Sequence, residues 1–192
     1  MVLLLAGCAA APPAEKPAET QATHVSVPPP DPVLEAVRAD YEIALTLLHS
    51  GELQDAVTML REIVERAPQA VAPLANLALA QQRLGQLDEA AQSLAAAIVR
   101  HPEATLHNQL GVVQRQQGHF IEARRSYEAA LALDSEFAPA HYNLAILCDL
   151  YLDDAPAALE HYRHYQRLTA QEEKSQVAGW IAELERRTRG AP

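Results

Sequence analysis

An all-α fold, built from one helix–turn–helix unit repeated along the chain, is what this sequence predicts, and three observations predict it. Gly51, Gly85 and Gly118 stand 34 and 33 residues apart. Ala56, Ala90, Ala123 and Ala157 keep the same stride, at 34, 33 and 34. Between these landmarks run amphipathic stretches, most clearly at 74–102, LANLALAQQRLGQLDEAAQSLAAAIVRHP, where two apolar-striped segments flank a turn at Gly85-Gln86 and Pro102 closes the unit.

Composition agrees with packed helices. Apolar residues make up 49% of the 192-residue chain but aromatics only 5%, with alanine and leucine supplying the difference. Alanine lets backbones approach and leucine fills the gaps between them. The net charge is −10, and the basic residues are scattered apart from Arg186, Arg187 and Arg189. A duplex-binding protein needs a concentrated positive face, so nucleic acid is not the expected partner. The arginine cluster reads instead as cations at a helix C-terminus. Cys8 and Cys148 fall in a tail and a helix respectively, which gives no ground for a disulfide. No run of 18 apolar residues spans a bilayer.

Taken in order, the chain opens with MVLLLAGC. A short apolar run ending in Leu5-Ala6-Gly7-Cys8 resembles the lipobox of bacterial lipoproteins, although no positively charged stretch precedes it, so residues 1–8 match a signal peptide only in part. The resemblance implies cleavage before Cys8, lipidation of that cysteine and, with Ala9 rather than Asp next to it, delivery to the periplasmic face of the outer membrane. Two-site acylation would anchor the chain stably where a single acyl chain would not. Residues 9–31 follow as a tether, with Pro12, Pro13, Pro17, Pro28, Pro29 and Pro30 among Ala, Thr, Glu and Gln. That composition buries too little surface to fold and favours extended polyproline II.

Asp31 and Pro32 read as the N-cap and first position of the first helix. Gly51, Gly85 and Gly118 each end a first helix, while Pro68 and Pro102 end second helices. Ile43-Ala44, Leu77-Ala78, Leu110-Gly111 and Leu144-Ala145 each set a large residue beside a small one, to fill the core and to let helices touch. With these residues in view the chain resembles tetratricopeptide-repeat proteins, whose unit is 34 residues long. The resemblance implies a solenoid of about four helix–turn–helix repeats, at 37–70, 71–103, 104–137 and 138–171 within an array over 32–171. In the fourth repeat Leu152 replaces the turn glycine and Asp154-Ala155-Pro156 makes the turn, with Asp154 as N-cap; in the third, Ser135 stands in the place of the terminating proline. Residues 172–189 read as a capping helix, with Val177, Trp180, Ile181 and Leu184 on one face.

By the same resemblance, ligands lie in a concave groove lined by the first helices. Its lining here would be Tyr41, Leu45 and Leu48; Ala75, Leu79 and Gln82; Asn108, Val112 and Arg115; and Tyr142, Ile146 and Asp149. The spacing i, i+4, i+7 places each trio on one stripe, distinct from the core stripe of Ile43, Ala44 and Leu47 in the first helix. An apolar stripe of this kind fits a helix or extended peptide with apolar anchors, a second copy of the chain, or mutual packing of neighbouring first helices. A clamp for a peptide-tail carboxylate is disfavoured, because Tyr41, Ala75 and Asp149 stand where cations would help. His141, His161 and His164, near Cys148, offer a rival reading as a metal-binding helical domain, against the simpler one that bulky polar rings fill aromatic slots. No Gly-rich phosphate loop, HExxH or nucleophile elbow occurs, and a helix-buried cysteine is ordinarily inert, so an enzyme is not expected.

The expected function is therefore a non-catalytic scaffold that binds an envelope protein or peptide while tethered to the outer membrane, without cofactor. By resemblance, small lipoproteins of this build assist pilus and secretin assembly or recruit cell-wall hydrolases. An unlipidated periplasmic or soluble scaffold of the same fold is the alternative. Palmitate labelling of the full-length gene product separates the two: label is expected in the wild type and absent in Cys8→Ser, and an unlabelled wild type would dismiss the anchor.

Overall fold

The computed structural model describes residues 32–170 and 176–190. Cys8, the tether and the Asp31 N-cap lie outside the described residues. Among those described, nine helices run in order: α1 (Pro32–Ser50), α2 (Leu53–Arg66), α3 (Val71–Arg83), α4 (Leu87–Arg100), α5 (Ala104–Gln116), α6 (Phe120–Leu133), α7 (Ala138–Leu150), α8 (Ala155–Thr169) and α9 (Gln176–Gly190). Each helix packs on its successor, and alternate helices α1 and α3, and α5 and α7, also touch. This is the contact pattern of helical hairpins stacked in an open row.

The turns repeat as closely as the sequence landmarks. Glu52 N donates to Leu47 O, Gln86 N to Gln81 O and His119 N to Gln114 O, each at 2.9 Å. These bonds close the first helices around Gly51, Gly85 and Gly118, whose φ values of 89°, 78° and 81° favour glycine. In the fourth repeat Asp153 takes the left-handed conformation instead, at φ 49°. Asp154 then caps α8 as expected, its carboxylate accepting from Ala157 N at 3.2 Å. An aspartate tolerates this backbone because its short polar side chain does, so the turn survives without its glycine. Pro68 and Pro102 each follow a second helix by two residues.

Within each hairpin one small residue is shut away from solvent: Ala44, Ala78 and Ala145 are at most 1% exposed, and Gly111 is buried in α5. At a constant offset along the chain stand Leu60, Leu94, Tyr127 and His161. The third repeat is the tightest. A Cβ added to Gly111 would lie 2.5 Å from Tyr127 Cε1, so the larger ring requires the smaller partner. The core is divided into three clusters along the row, and the last gathers Leu144, Leu147, Cys148 and Tyr162 with Val177, Ile181 and Leu184 of α9. A second set of bonds recurs at the same stride: Ser93 donates to Gln81 Oε1 at 2.8 Å in a buried bond, and Ser126 to Gln114 Oε1 at 2.7 Å in a partly buried one.

Gly111→Ala should therefore cost about 1–3 kcal/mol of stability, the usual penalty of overpacking. Adding Tyr127→Leu, which restores the pairing used in the second repeat, should recover most of the lost thermal midpoint. A Gly111→Ala protein that melts like the wild type would show that α5 and α6 are not in this contact.

Candidate partner-binding groove

The first helices α1, α3, α5 and α7 set one row of side chains after another along the array. Tyr41, Leu45, Ala75, Leu79, Asn108, Val112, Tyr142 and Ile146 are all half-buried. Neighbouring rows are bridged across one repeat: Asn76 Nδ2 donates to the Tyr41 hydroxyl, and Asn143 Nδ2 donates to Asn108 Oδ1 at 2.9 Å. Between α3 and α5 a cleft of about 300 Å³ opens, lined by Val71, Ala75, Asn76, Leu106 and Gln109 among others. A cleft this size beside Ala75 accepts an apolar side chain.

The last member of each expected trio behaves differently. Leu48 is 2% exposed and belongs to the core cluster that holds Leu77 and Ala80 of α3. Gln82 donates to Gln116 Oε1 of α5 at 2.9 Å. The Arg115 guanidinium carbon lies 5.9 Å from the centroid of the Tyr151 ring, and Asp149 accepts from Arg187 of α9 at 2.8 Å. This register position is thus the seam between one repeat and the next. Placing Leu48 in the groove is corrected: an apolar side chain here gains more by entering the seam than by facing outward. Ile43, expected inward beside Ala44, is 51% exposed, because α1 turns Ala44 and Leu48 to the core and leaves Ile43 off that face.

The C-terminal end of the row is already partly covered. Tyr142 packs against Tyr165, with ring centroids 4.9 Å apart, and against Trp180 of α9 at 6.3 Å. The more accessible stretch is therefore the N-terminal part, from Tyr41 to Val112.

Elsewhere the chemistry is quiet. Cys148 is a free thiol with no solvent exposure, and burial pushes its pKa up to about 11, which nearby Arg124 offsets only in part. The Tyr127 hydroxyl is also raised by burial, with Arg115 opposing. His141 is buried, and His161 and His164 are half-buried beside it. His141 meets both of the other rings, and His164 stacks on it with planes 12° apart. Among the described residues no group of three or more His, Cys, Asp or Glu side chains is placed to hold a metal ion.

The hairpin row and its groove define the class: an all-α tetratricopeptide-repeat solenoid. Tetratricopeptide-repeat family models match residues 47–110 and 104–137, slightly under half of the chain. The chain thus carries tetratricopeptide repeats, a module that generally binds protein partners. Among solved structures the fold is similar to PilF of Pseudomonas aeruginosa (23% identity, 83% of this chain and 72% of that one, TM-score 0.70). It is also similar to MamA from Desulfovibrio magneticus (19% identity, 80% of this chain and 85% of that one, TM-score 0.69). A third likeness is to a tetratricopeptide repeat protein from Parabacteroides merdae (22% identity, 81% of this chain and 61% of that one, TM-score 0.70). At these identities the likeness establishes the fold alone. No curated protein sequence matches the chain.

A thiol with a raised pKa reacts slowly, because the thiolate is the nucleophile. In a Cys8→Ser background at pH 8, Cys148 should resist iodoacetamide in the folded protein and react at least tenfold faster in denaturant. Equal rates in both states would contradict the burial described.

Proposed function

We propose that the protein is a non-catalytic adaptor that binds an envelope protein or peptide along the N-terminal part of its first-helix groove. The observation that carries this reading is the row Tyr41, Leu45, Ala75, Leu79 and Val112, half-buried rather than sealed, with the cleft beside Ala75. Side chains locked into a core are unavailable, and fully solvated ones bind little; half-buried apolar residues on a rigid helix row lose their remaining water when a partner arrives. A helix or extended segment with spaced apolar side chains is the ligand such a row fits. The rigidity comes from the bonds between rows, from Asn76 to Tyr41 and from Gln82 to Gln116, so little ordering entropy is lost on binding.

The second half of the proposal is the tether. The run Leu5-Ala6-Gly7-Cys8 supports lipidation at Cys8, and the proline-rich stretch after it supports a spacer that holds the repeats away from the periplasmic face of the outer membrane. Roughly twenty residues of polyproline II reach about 60 Å at 3.1 Å per residue. In this reading the adaptor serves an envelope assembly, with pilus or secretin construction and recruitment of cell-wall hydrolases as the roles that the resemblance raises.

Leu45→Glu with Leu79→Glu puts two carboxylates on the groove face. Crosslinking in native cells should then recover at least tenfold less of the wild-type partner, with helicity by circular dichroism unchanged. Val99→Glu, at a position 85% exposed on the second helix α4, should leave recovery as in the wild type. Equal recovery from the groove variant and the wild type would refute the groove.

A further inference from the structure

Three imidazoles meet beside the α6–α7 loop, and their bonds assign the protonation of each. His141 Nε2 lies 3.1 Å from the Ser135 carbonyl oxygen. A carbonyl can only accept, so this nitrogen carries the hydrogen. In the neutral ring Nδ1 is then bare, and it faces His161 Nδ1 at 3.0 Å; His161 must be the donor. On its other face His141 is stacked by His164, ring centroids 4.7 Å apart. Arg167 Nη2 donates to His164 Nδ1 at 2.9 Å, and because a guanidinium only donates, that nitrogen is an acceptor. The arrangement is satisfied when all three rings are neutral.

Added protons break it in specific places. A proton on His164 Nδ1 sets two donors against each other at Arg167. A proton on His141 Nδ1 does the same against His161, unless His161 changes tautomer. His161 can take a proton at Nε2 without losing a bond, but only as a cation beside His141, His164 and Arg124. The surroundings give little relief. On α8, Glu160 is exposed and Arg167 is a cation; on α6, Arg124 is held by Glu128 and Asp154. In the loop, Glu136 shares a cleft of about 480 Å³ with Ser135, His164 and Arg167. Of the other packed elements, α9 spends Glu185 on Arg163 and Arg187 on Asp149 of α7, and α5 offers His107 and Arg115. Among the described residues the one histidine within ion-pair distance of a carboxylate is His101, outside the cluster.

We propose that this cluster is an acid-sensitive latch, which holds the α6–α7 loop and the α7–α8 hairpin closed while its imidazoles are neutral and releases them in mild acid. Burial lowers the pKa of His141 and of His161 below the usual 6.5, with the Ser135 carbonyl and Glu160 opposing at His141 and Glu160 opposing at His161. For a histidine whose folded pKa is depressed, the unfolded chain binds the proton first. The stabilisation is fully present above pH 6.5 and is lost as pH falls from there through the folded values. His141 immediately precedes Tyr142, so opening the latch loosens the covered end of the groove. The latch does not depend on the groove's having a partner.

The test uses the full chain and two readouts. Ring-resonance titration from pH 7.5 to 4.5 should show His141 and His161 titrating below 6.5, with amide exchange in α7 accelerating over the same range. Chemical denaturation should give an unfolding constant that rises, below pH 6.5, by up to about tenfold per pH unit for each extra proton the unfolded chain binds. His161→Gln, which cannot titrate, should flatten that slope. If that variant does not fold, the wild-type titration and exchange decide. The latch is overturned if the His141 and His161 rings titrate at or above 6.5, or if the slope is equal in the wild type and the folded variant. It is also overturned if one equivalent of zinc raises stability at pH 7.5 and His161→Gln abolishes that rise, since the pair would then be metal ligands.

Discussion

The close approach of each first helix to its second, permitted by one small residue per repeat, is the constraint on which the rest of the structure depends. Ala44, Ala78, Gly111 and Ala145 occupy equivalent positions and all are buried. With no bulk there, the hairpin closes enough for the glycine turns to form and for Gln81 and Gln114 to reach Ser93 and Ser126. A constant hairpin in turn makes a constant stride. The stride is what lets a side chain from one repeat bond the next at nearly the same separation, as from Asn76 to Tyr41 and from Asn143 to Asn108. The groove is a consequence of that regularity, because first helices held at fixed offset present their outer stripes as one continuous face.

Most of the fold was legible because it is written in residues with single-purpose physics. A glycine every 33 or 34 residues marks a positive φ, and Gly51, Gly85 and Gly118 all have it. A proline two residues beyond a helix marks its end. The fourth turn was less legible, since Asp153 adopts the left-handed backbone with no sequence signal stronger than being one of two adjacent aspartates. Its N-cap, Asp154, was readable from the Pro156 that follows.

The candidate site was legible only in outline. Helical spacing finds a stripe, but a stripe about a hundred degrees wide contains both groove and seam positions. Leu48, Gln82 and Arg115 contact the following repeat and Asp149, at the same register, contacts α9, yet nothing in their individual types says so. The Gln81–Ser93 and Gln114–Ser126 pairs had a recoverable signal in their common stride. A lone amide on a helix reads as surface unless that repetition is noticed. The histidines were seen as a group, but the Ser135 carbonyl and the Arg167 guanidinium that assign their protons come from the turn geometry, which spacing does not encode.

The most direct test of the account asks where the partner touches. A photo-crosslinking residue placed at Leu79 on α3 and, separately, at Val99 on α4 compares the groove with the opposite kind of surface in otherwise identical chains. A partner crosslinked from Leu79 and not from Val99 is the predicted result. Crosslinking from Val99 alone would contradict it, and would move the binding face to the second helices.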